Sequence, residues 1–420
     1  MIDVVTTTSN ARFLPRHAAQ SVLDALTDTR VVLINGARQA GKSTLVRRIG
    51  RETDAAWYTL DDAATRAHAA DDPTSFVRLN ERMIIDEIQR DPELLLSIKA
   101  LVDEEPTPGR FLLTGSARVL GLRNLPDTLV GRMETIELWP LSQGEIDGTP
   151  DSFIDAAFNL GPALRHDSTL TRDDYIERIV RGGFPDAITR PEQRRSAFLI
   201  NYVADLVNRD VSRLSEIERI PQMHALIKTL AALSGQTIAP ATIGASLGMD
   251  NKTVSRYLSL LEEIFLIKRL PPWTRRISAR STGQSKLAFV DSGIAAALLG
   301  QNSTRLRKPG SPLGGLLEGF VAMELARQLT WSQVDATMFQ WRTKERVEVD
   351  IVLENRQGEV IGIEVKASST PTPDDFSGLR HFAERVGDDF LAGYVLHTGT
   401  QTLPAGPKMA SVPISALWQV

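Results

Sequence analysis

The 420-residue chain has no cysteine, which removes disulfides, thiolate zinc sites and cysteine nucleophiles together. Its six histidines are scattered without ligand spacing. No run of about 18 consecutive apolar residues occurs, and the amino terminus, Met1-Ile-Asp-Val-Val-Thr-Thr-Thr, lacks a basic region followed by an apolar run. The expectation is a cytoplasmic protein without a membrane partner. Neither sign of charge dominates. The net charge of −4 argues against a wholesale polyanion binder but leaves room for a local basic face. The length exceeds one ordinary core, so roughly two to four domains are expected.

The most informative stretch is Gly36-Ala-Arg-Gln-Ala-Gly41-Lys42-Ser43, which directly follows the apolar Val31-Val32-Leu33-Ile34. Glycines at these positions let the backbone curl until successive N–H groups point at phosphate oxygens, and a helix starting near Ser43 adds the positive end of its dipole. The pattern predicts that Gly36, Ala37, Arg38, Gln39, Ala40, Gly41, Lys42, Ser43 and Thr44 surround the phosphates of a nucleoside triphosphate such as ATP. Lys42 would reach the β and γ phosphates, and the Ser43 hydroxyl would hold Mg²⁺.

Such a loop needs an apolar strand ending in a carboxylate, and Met83-Ile84-Ile85-Asp86-Glu87 fits. Asp86 would bind Mg²⁺ through water, and Glu87 would orient and deprotonate the attacking water. Arg110-Phe-Leu-Leu-Thr-Gly-Ser116 reads as another buried strand, ending in small polar residues. There Ser116 or Thr114 either senses the γ-phosphate or caps the strand.

From about residue 20 to 145, apolar strands alternate with helical stretches, which predicts an α/β fold with a parallel sheet and helices on both faces. The P-loop ATPase domain is placed at residues 1–145. Residues 146–220 lose the strand rhythm and read as a helical lid, with a turn at Gly182-Gly183-Phe184-Pro185. Residues 221–280 read as three helices, the third capped by Asp250 or Asn251, and then a strand: a winged-helix module. Lys252, Thr253, Ser255 and Arg256 would be exposed on its third helix. Six basic residues follow with no acidic one between them, Lys268, Arg269, Arg275, Arg276, Arg280 and Lys286. Phosphate contact with a nucleic acid such as DNA is one reading of that run; a protein-docking face or an ordinary solvated surface is the other.

Residues 281–420 carry a second set of charged groups. In Arg346-Val-Glu-Val-Asp-Ile-Val-Leu353 the alternation places Val347, Val349, Ile351 and Leu353 on one face, with Glu348 and Asp350 on the other. Glu364 and Lys366 share the polar side of the next strand. A hairpin centred near Gln357 sets Asp350 almost opposite Glu364, and two anions so placed repel unless a cation or proton joins them. A divalent metal would serve, with Lys366 stabilising phosphate charge or positioning a water. Glu318 or Glu324 offers a further ligand. Six residues apart on one helix, they cannot both face one point, and Glu318 is preferred. The alternative is a half-exposed hairpin with alternating charges.

The phosphate loop, Ile85-Asp86-Glu87-Ile-Gln89, Leu113-Thr-Gly-Ser116, Gly131-Arg132 and Leu138-Trp-Pro-Leu141-Ser together resemble the AAA+-type ATPase domain of a large prokaryotic family. Its members continue into a helical and winged-helix segment and then a domain of unknown function similar to the PD-(D/E)XK nuclease fold. The resemblance extends to Gly182-Gly-Phe-Pro185, Arg209-Asp-Val211, Lys286-Leu-Ala-Phe-Val-Asp291-Ser-Gly293 and the Asp350, Glu364, Lys366 hairpin. It implies ATPase roles for Lys42, Ser43, Asp86 and Glu87. It makes Arg132 a finger or sensor arginine, unless that residue only forms a salt bridge; a finger supplied by a neighbour implies a homo-oligomer. It also implies a nuclease-like α/β domain with Asp350, Glu364 and Lys366 as its catalytic set, although Glu348-Val-Asp350 stands where the pattern has a Pro-Asp pair. Two functions follow: an ATPase driving a nuclease-like module on DNA, or an ATPase or nucleotide-gated switch with a non-cutting C-terminal scaffold.

Overall fold

The computed structural model describes residues 14–116, 129–211, 220–280 and 283–420, so the amino-terminal stretch read for a leader lies outside the described residues. Five short strands, β1 (Val31–Gly36), β2 (Ala56–Thr59), β3 (Met83–Asp86), β4 (Phe111–Gly115) and β5 (Met133–Leu138), form one sheet in the order β2-β3-β4-β1-β5, every pair parallel. Alternate residues of each strand point to opposite faces, and both faces are buried. Val31, Leu33, Ile85 and Phe111 pack on helix Leu94–Glu104, while Val32, Ile34, Ile84 and Leu112 pack on helices Ala18–Asp28 and Lys42–Thr53. This is the α/β parallel sheet read from the sequence, and it brings the carboxyl ends of β1, β3 and β4 side by side.

Helices Phe153–Leu160, Arg172–Arg181 and Glu192–Leu206 follow, then Ile220–Ala232, Pro240–Leu247 and Asn251–Glu263. Asp250, not Asn251, caps the last of these, accepting from the Thr253 amide at 2.9 Å. Two strands, β6 (Ile267–Leu270) and β7 (Lys286–Phe289), then pair antiparallel. The basic run beside them is largely taken up by ion pairs within the chain. Lys268 stands 4.0 Å from Glu137, Arg269 2.7 Å from Glu262, and Arg275 3.7 Å from Asp389; Arg280 pairs with Glu354, and Lys286 with Glu318 and Asp350. Such pairing leaves far less unbalanced charge than the sequence suggests.

The last sheet holds β8 (Ala336–Arg342), β9 (Glu348–Asn355), β10 (Val360–Lys366), β11 (Phe390–His397), β12 (Leu403–Pro404) and β13 (Met409–Pro413) in the order β12-β13-β11-β10-β9-β8. Only the β10–β11 and β11–β13 pairs are parallel. Helix Leu313–Gln328 covers one face and helix Ser377–Val386 the other. The half-exposed hairpin considered above is therefore not what forms. Its assumed alternation also fails: a bulge between Phe339 and Trp341 shifts the register against β9. Val349 and Val352 face the second helix, while Ile351 and Leu353 face the first. One apolar cluster runs continuously from the helices after residue 153 through β6 and β7 to this sheet. Among the described residues no helix is long and apolar enough to cross a membrane.

Candidate functional site

At the carboxyl end of β1 the chain enters the phosphate loop. A Cβ on Gly36 would lie 2.1 Å from the Leu138 carbonyl oxygen, so only glycine lets β1 and β5 approach there. Gly41, at φ +98°, turns the backbone into helix Lys42–Thr53. Lys42 is 5% exposed, and its ammonium donates to the Gly36 and Ala37 carbonyls at 2.9 and 2.8 Å. It is folded over the loop it belongs to.

Ser43 Oγ donates to Asp86 Oδ1 at 3.0 Å, joining the first turn of the helix to the end of β3. Thr114 Oγ1, fully buried on β4, donates to the same carboxylate oxygen and accepts from the Glu87 amide at 3.0 Å. Glu87 takes φ +64°, a left-handed conformation uncommon for glutamate, which turns its side chain off the strand line. Gln89 donates to the Glu87 carboxylate and to Ser116 Oγ, the latter at 2.8 Å. The structure therefore brings Lys42, Ser43, Asp86, Glu87, Thr114 and Ser116 to one edge of the sheet. Ser43 and Asp86 offer a hydroxyl and a carboxylate oxygen side by side, a hard all-oxygen set that fits Mg²⁺.

Arg132 does not join them. It precedes β5 at the amino end of the sheet, and its guanidinium grips Asp103 through Nε and, at 2.9 Å, Nη2. The Gly36 end of β1 pairs with Leu138, about 20 Å along the strand at ~3.3 Å per residue. Within one chain the salt-bridge reading of Arg132 is the one realised; contact with phosphate requires a second copy.

Sequence reasoning missed the support beneath the loop. Arg16 is 9% exposed and donates from Nη1 to the Ala40 carbonyl at 2.7 Å, from Nη2 to the Trp139 carbonyl at 2.7 Å, and from Nε to Glu145 at 3.0 Å. Neither its neighbours nor its spacing carried a signal, since its partners lie up to 129 positions away. Two motif segments also meet: the buried Asp291 carboxylate accepts from the Gly183 amide at 2.6 Å and the Ile294 amide at 3.1 Å.

In the C-terminal region the structure gathers Glu318, Asp350, Glu364 and Lys366, as the hairpin reading required; the β9–β10 register runs to Ile363 opposite Ile351 and leads to Glu364 opposite Asp350. The expected metal position is taken by a side chain. Lys286, from β7, places its ammonium 2.6 Å from both Glu318 and Asp350. Asp350 also accepts from the Val365 amide at 2.9 Å, and Lys366 lies 3.4 Å from Glu364.

Burial opposes the Asp350 charge, but the Lys286 ammonium and these hydrogen bonds hold it below the usual carboxylate range. Burial and then the Asp350 charge push Glu364 well above it. The same two causes raise Glu318 to about 7 against the pull of Lys286. Burial and the neighbouring Asp350 thus favour the neutral form of Glu364, while Lys286 supplies the positive charge beside Asp350 and Glu318. Among the described residues no group of three or more His, Cys, Asp or Glu side chains is placed to hold a metal ion. The metal expected between Asp350 and Glu364 does not fit this arrangement. Glu324, the other ligand considered, points elsewhere: it accepts from the Gln143 amide and pairs with Arg327, each at 2.9 Å.

Residues 28–147 match the AAA domain, and residues 172–305 and 313–417 each match a domain of unknown function, the latter DUF4143. Uncharacterized proteins of Mycobacterium tuberculosis and Mycobacterium bovis are each 30% identical over 404 residues, 95% of this chain and 83% of theirs. An uncharacterized protein of Haemophilus influenzae is 26% identical over 223 residues, 52% of this chain and 51% of its own. Among solved structures, the Walker-type ATPase of Pyrococcus abyssi shares 13% identity at a TM-score of 0.42, covering 71% of this chain and 99% of that one. AMPPCP-bound DnaA from Aquifex aeolicus shares 14% at 0.26, covering 59% and 86%. With 30% identity across 95% of its length to the mycobacterial proteins, the chain belongs to their family, and within it residues 28–147 form an AAA domain of the P-loop ATPase kind followed by domains of unknown function.

Proposed function

We propose that the protein binds ATP on the loop from Gly36 to Thr44 and hydrolyses it, and that nucleotide state acts on a C-terminal region serving as a non-cutting scaffold. The observation that carries the first part is the hydrogen-bonded chain from Ser43 through Asp86 and Thr114 to the Glu87 amide. Ser43 and Asp86 would hold Mg²⁺, which when bound neutralises phosphate charge. Lys42 exchanges its loop carbonyls for phosphate oxygens, and Glu87 orients the attacking water and takes its proton. Phosphate release by the intact chain, compared with Lys42→Ala and Glu87→Gln, tests this directly.

The second part rests on Lys286. With its ammonium 2.6 Å from both Glu318 and Asp350, the pocket already holds a balancing positive charge. A scaffold reading predicts no cleavage of any DNA form in Mg²⁺ or Mn²⁺; nicking abolished by Asp350→Ala would reinstate a nuclease. Docking on DNA is favoured by Lys252 and Arg256, both exposed on helix Asn251–Glu263. Affinity that falls steeply with rising salt, and more weakly so in Lys252→Ala, is its signature.

A further inference from the structure

Arg209 opens the Arg209-Asp-Val211 segment. It extends from the end of helix Glu192–Leu206, where the chain widens into a π-helical turn, Val207–Val211. Such turns recur at functional sites. Tyr202, Asp205 and Arg209 follow one another at spacings of three and four, which sets them on one face. That face looks across a cavity of about 280 Å³ at Arg38 and Gln39 of the phosphate loop and at Glu87. The helix is tied to the loop, since the Tyr202 hydroxyl donates to the Arg38 carbonyl at 3.2 Å.

Two features mark this cavity as the reaction chamber. Glu87, the base that must face the terminal phosphate, forms part of its wall. Of the six non-glycine residues with positive φ among those described, Gln39 and Glu87 both line it, at φ +59° and +64°. Left-handed backbone at two points in the wall of one cavity is the kind of distortion that folds retain where geometry serves chemistry. The space accommodates a phosphoryl group and a few waters, each water needing about 30 Å³.

We propose that Arg209 meets the terminal phosphate of bound ATP in cis, as the arginine that the sequence reading sought in Arg132. The inference rests on the ATPase reading above. In the reaction, a water oxygen bonds to the γ-phosphorus while the bond from that phosphorus to the β–γ bridging oxygen breaks. The bridging oxygen leaves with its electron pair on ADP, and the water's proton goes to Glu87. Charge spreads over the equatorial oxygens as this occurs, and a planar guanidinium matches it with paired donors where an ammonium does not. Tyr202, by bonding the loop, is the positioning residue that sets the distance between Arg209 and the phosphates.

The test uses the full chain with Arg209→Ala, Arg209→Lys and Arg132→Ala, reading phosphate release and fluorescent ATP-analogue affinity. Removal of an arginine that stabilises the transition state lowers kcat by about 10³-fold or more. Expected are a loss of that order in both Arg209 variants, analogue affinity changed less than roughly threefold, and partial recovery of Arg209→Ala by added guanidinium ion. Arg132→Ala should stay within about twofold of the parent. Near-parental turnover in Arg209→Ala alongside an inactive Lys42→Ala would overturn the inference and leave the ATPase reading standing. A loss confined to analogue affinity, with no guanidinium recovery, would likewise overturn it. A parent chain without turnover would remove both.

Discussion

Thr114 ties Asp86 to the backbone that carries Glu87: its hydroxyl donates to the carboxylate and accepts the next amide at 3.0 Å. One buried threonine thus sets both the metal-side acid and the base. Thr114→Val keeps the shape and removes both bonds, leaving the Glu87 amide without its partner. We expect kcat to fall about tenfold to a hundredfold with ATP affinity nearly kept, measured by phosphate release against analogue titration. Affinity lost in proportion to kcat would assign Thr114 to binding instead.

Arg16 supports the loop from beneath. Arg16→Ala leaves Glu145 buried without its ion pair and frees the Ala40 carbonyl, a change costing about 3–5 kcal/mol for a buried pair. The melting temperature should drop and nucleotide affinity weaken together. Adding Glu145→Gln should recover stability but not affinity, since the loop contact stays lost. Recovery of both would confine Arg16 to a structural role.

Lys286 distinguishes a scaffold from a metal site. Nucleotide-free parent protein should show a melting temperature indifferent to Mn²⁺, because the ammonium already lies on Glu318 and Asp350. Lys286→Ala should be less stable by roughly 3–5 kcal/mol and should regain part of that loss in Mn²⁺. Stabilisation of the parent by Mn²⁺ that disappears in Asp350→Asn would contradict this.

Burial raises Glu324 to about 7, despite the Arg327 guanidinium and the Gln143 amide, with Asp151 and Glu145 adding to the rise. A carboxyl raised on folding favours the folded state most below its unfolded value and loses that advantage as pH climbs through about 7. Ionisation costs roughly 3 kcal/mol across that window. Urea unfolding at pH 5 and pH 8 should show the parent losing more stability than Glu324→Gln. Equal losses would mean that Glu324 does not titrate in this range.

The grouping of the candidate nucleotide residues was legible because it is local: loop, strand and carboxylate each occupy a few consecutive residues, and the parallel sheet aligns their ends. Of the two readings of Arg132 the salt bridge is the one formed within the chain, and a Gly-Arg pair carries no indication of which end of a strand it occupies. The C-terminal cluster was half legible. Hairpin symmetry placed Asp350 against Glu364, but a bulge beside Trp341 and two covering helices buried the strands on both faces. Lys286 was counted with the surface charges because its partners, Glu318 and Asp350, lie far along the chain. Most of the basic run around it is likewise paired with acids no local window contains.

ATP hydrolysis on the Gly36–Thr44 loop is tested most plainly by steady-state phosphate release from ATP by the purified full chain in Mg²⁺, beside Lys42→Ala. Saturable, Mg²⁺-dependent release by the parent and a loss of roughly 100-fold or more in the variant are expected. Release that is equal in the two proteins, or absent from both, would contradict hydrolysis at that loop.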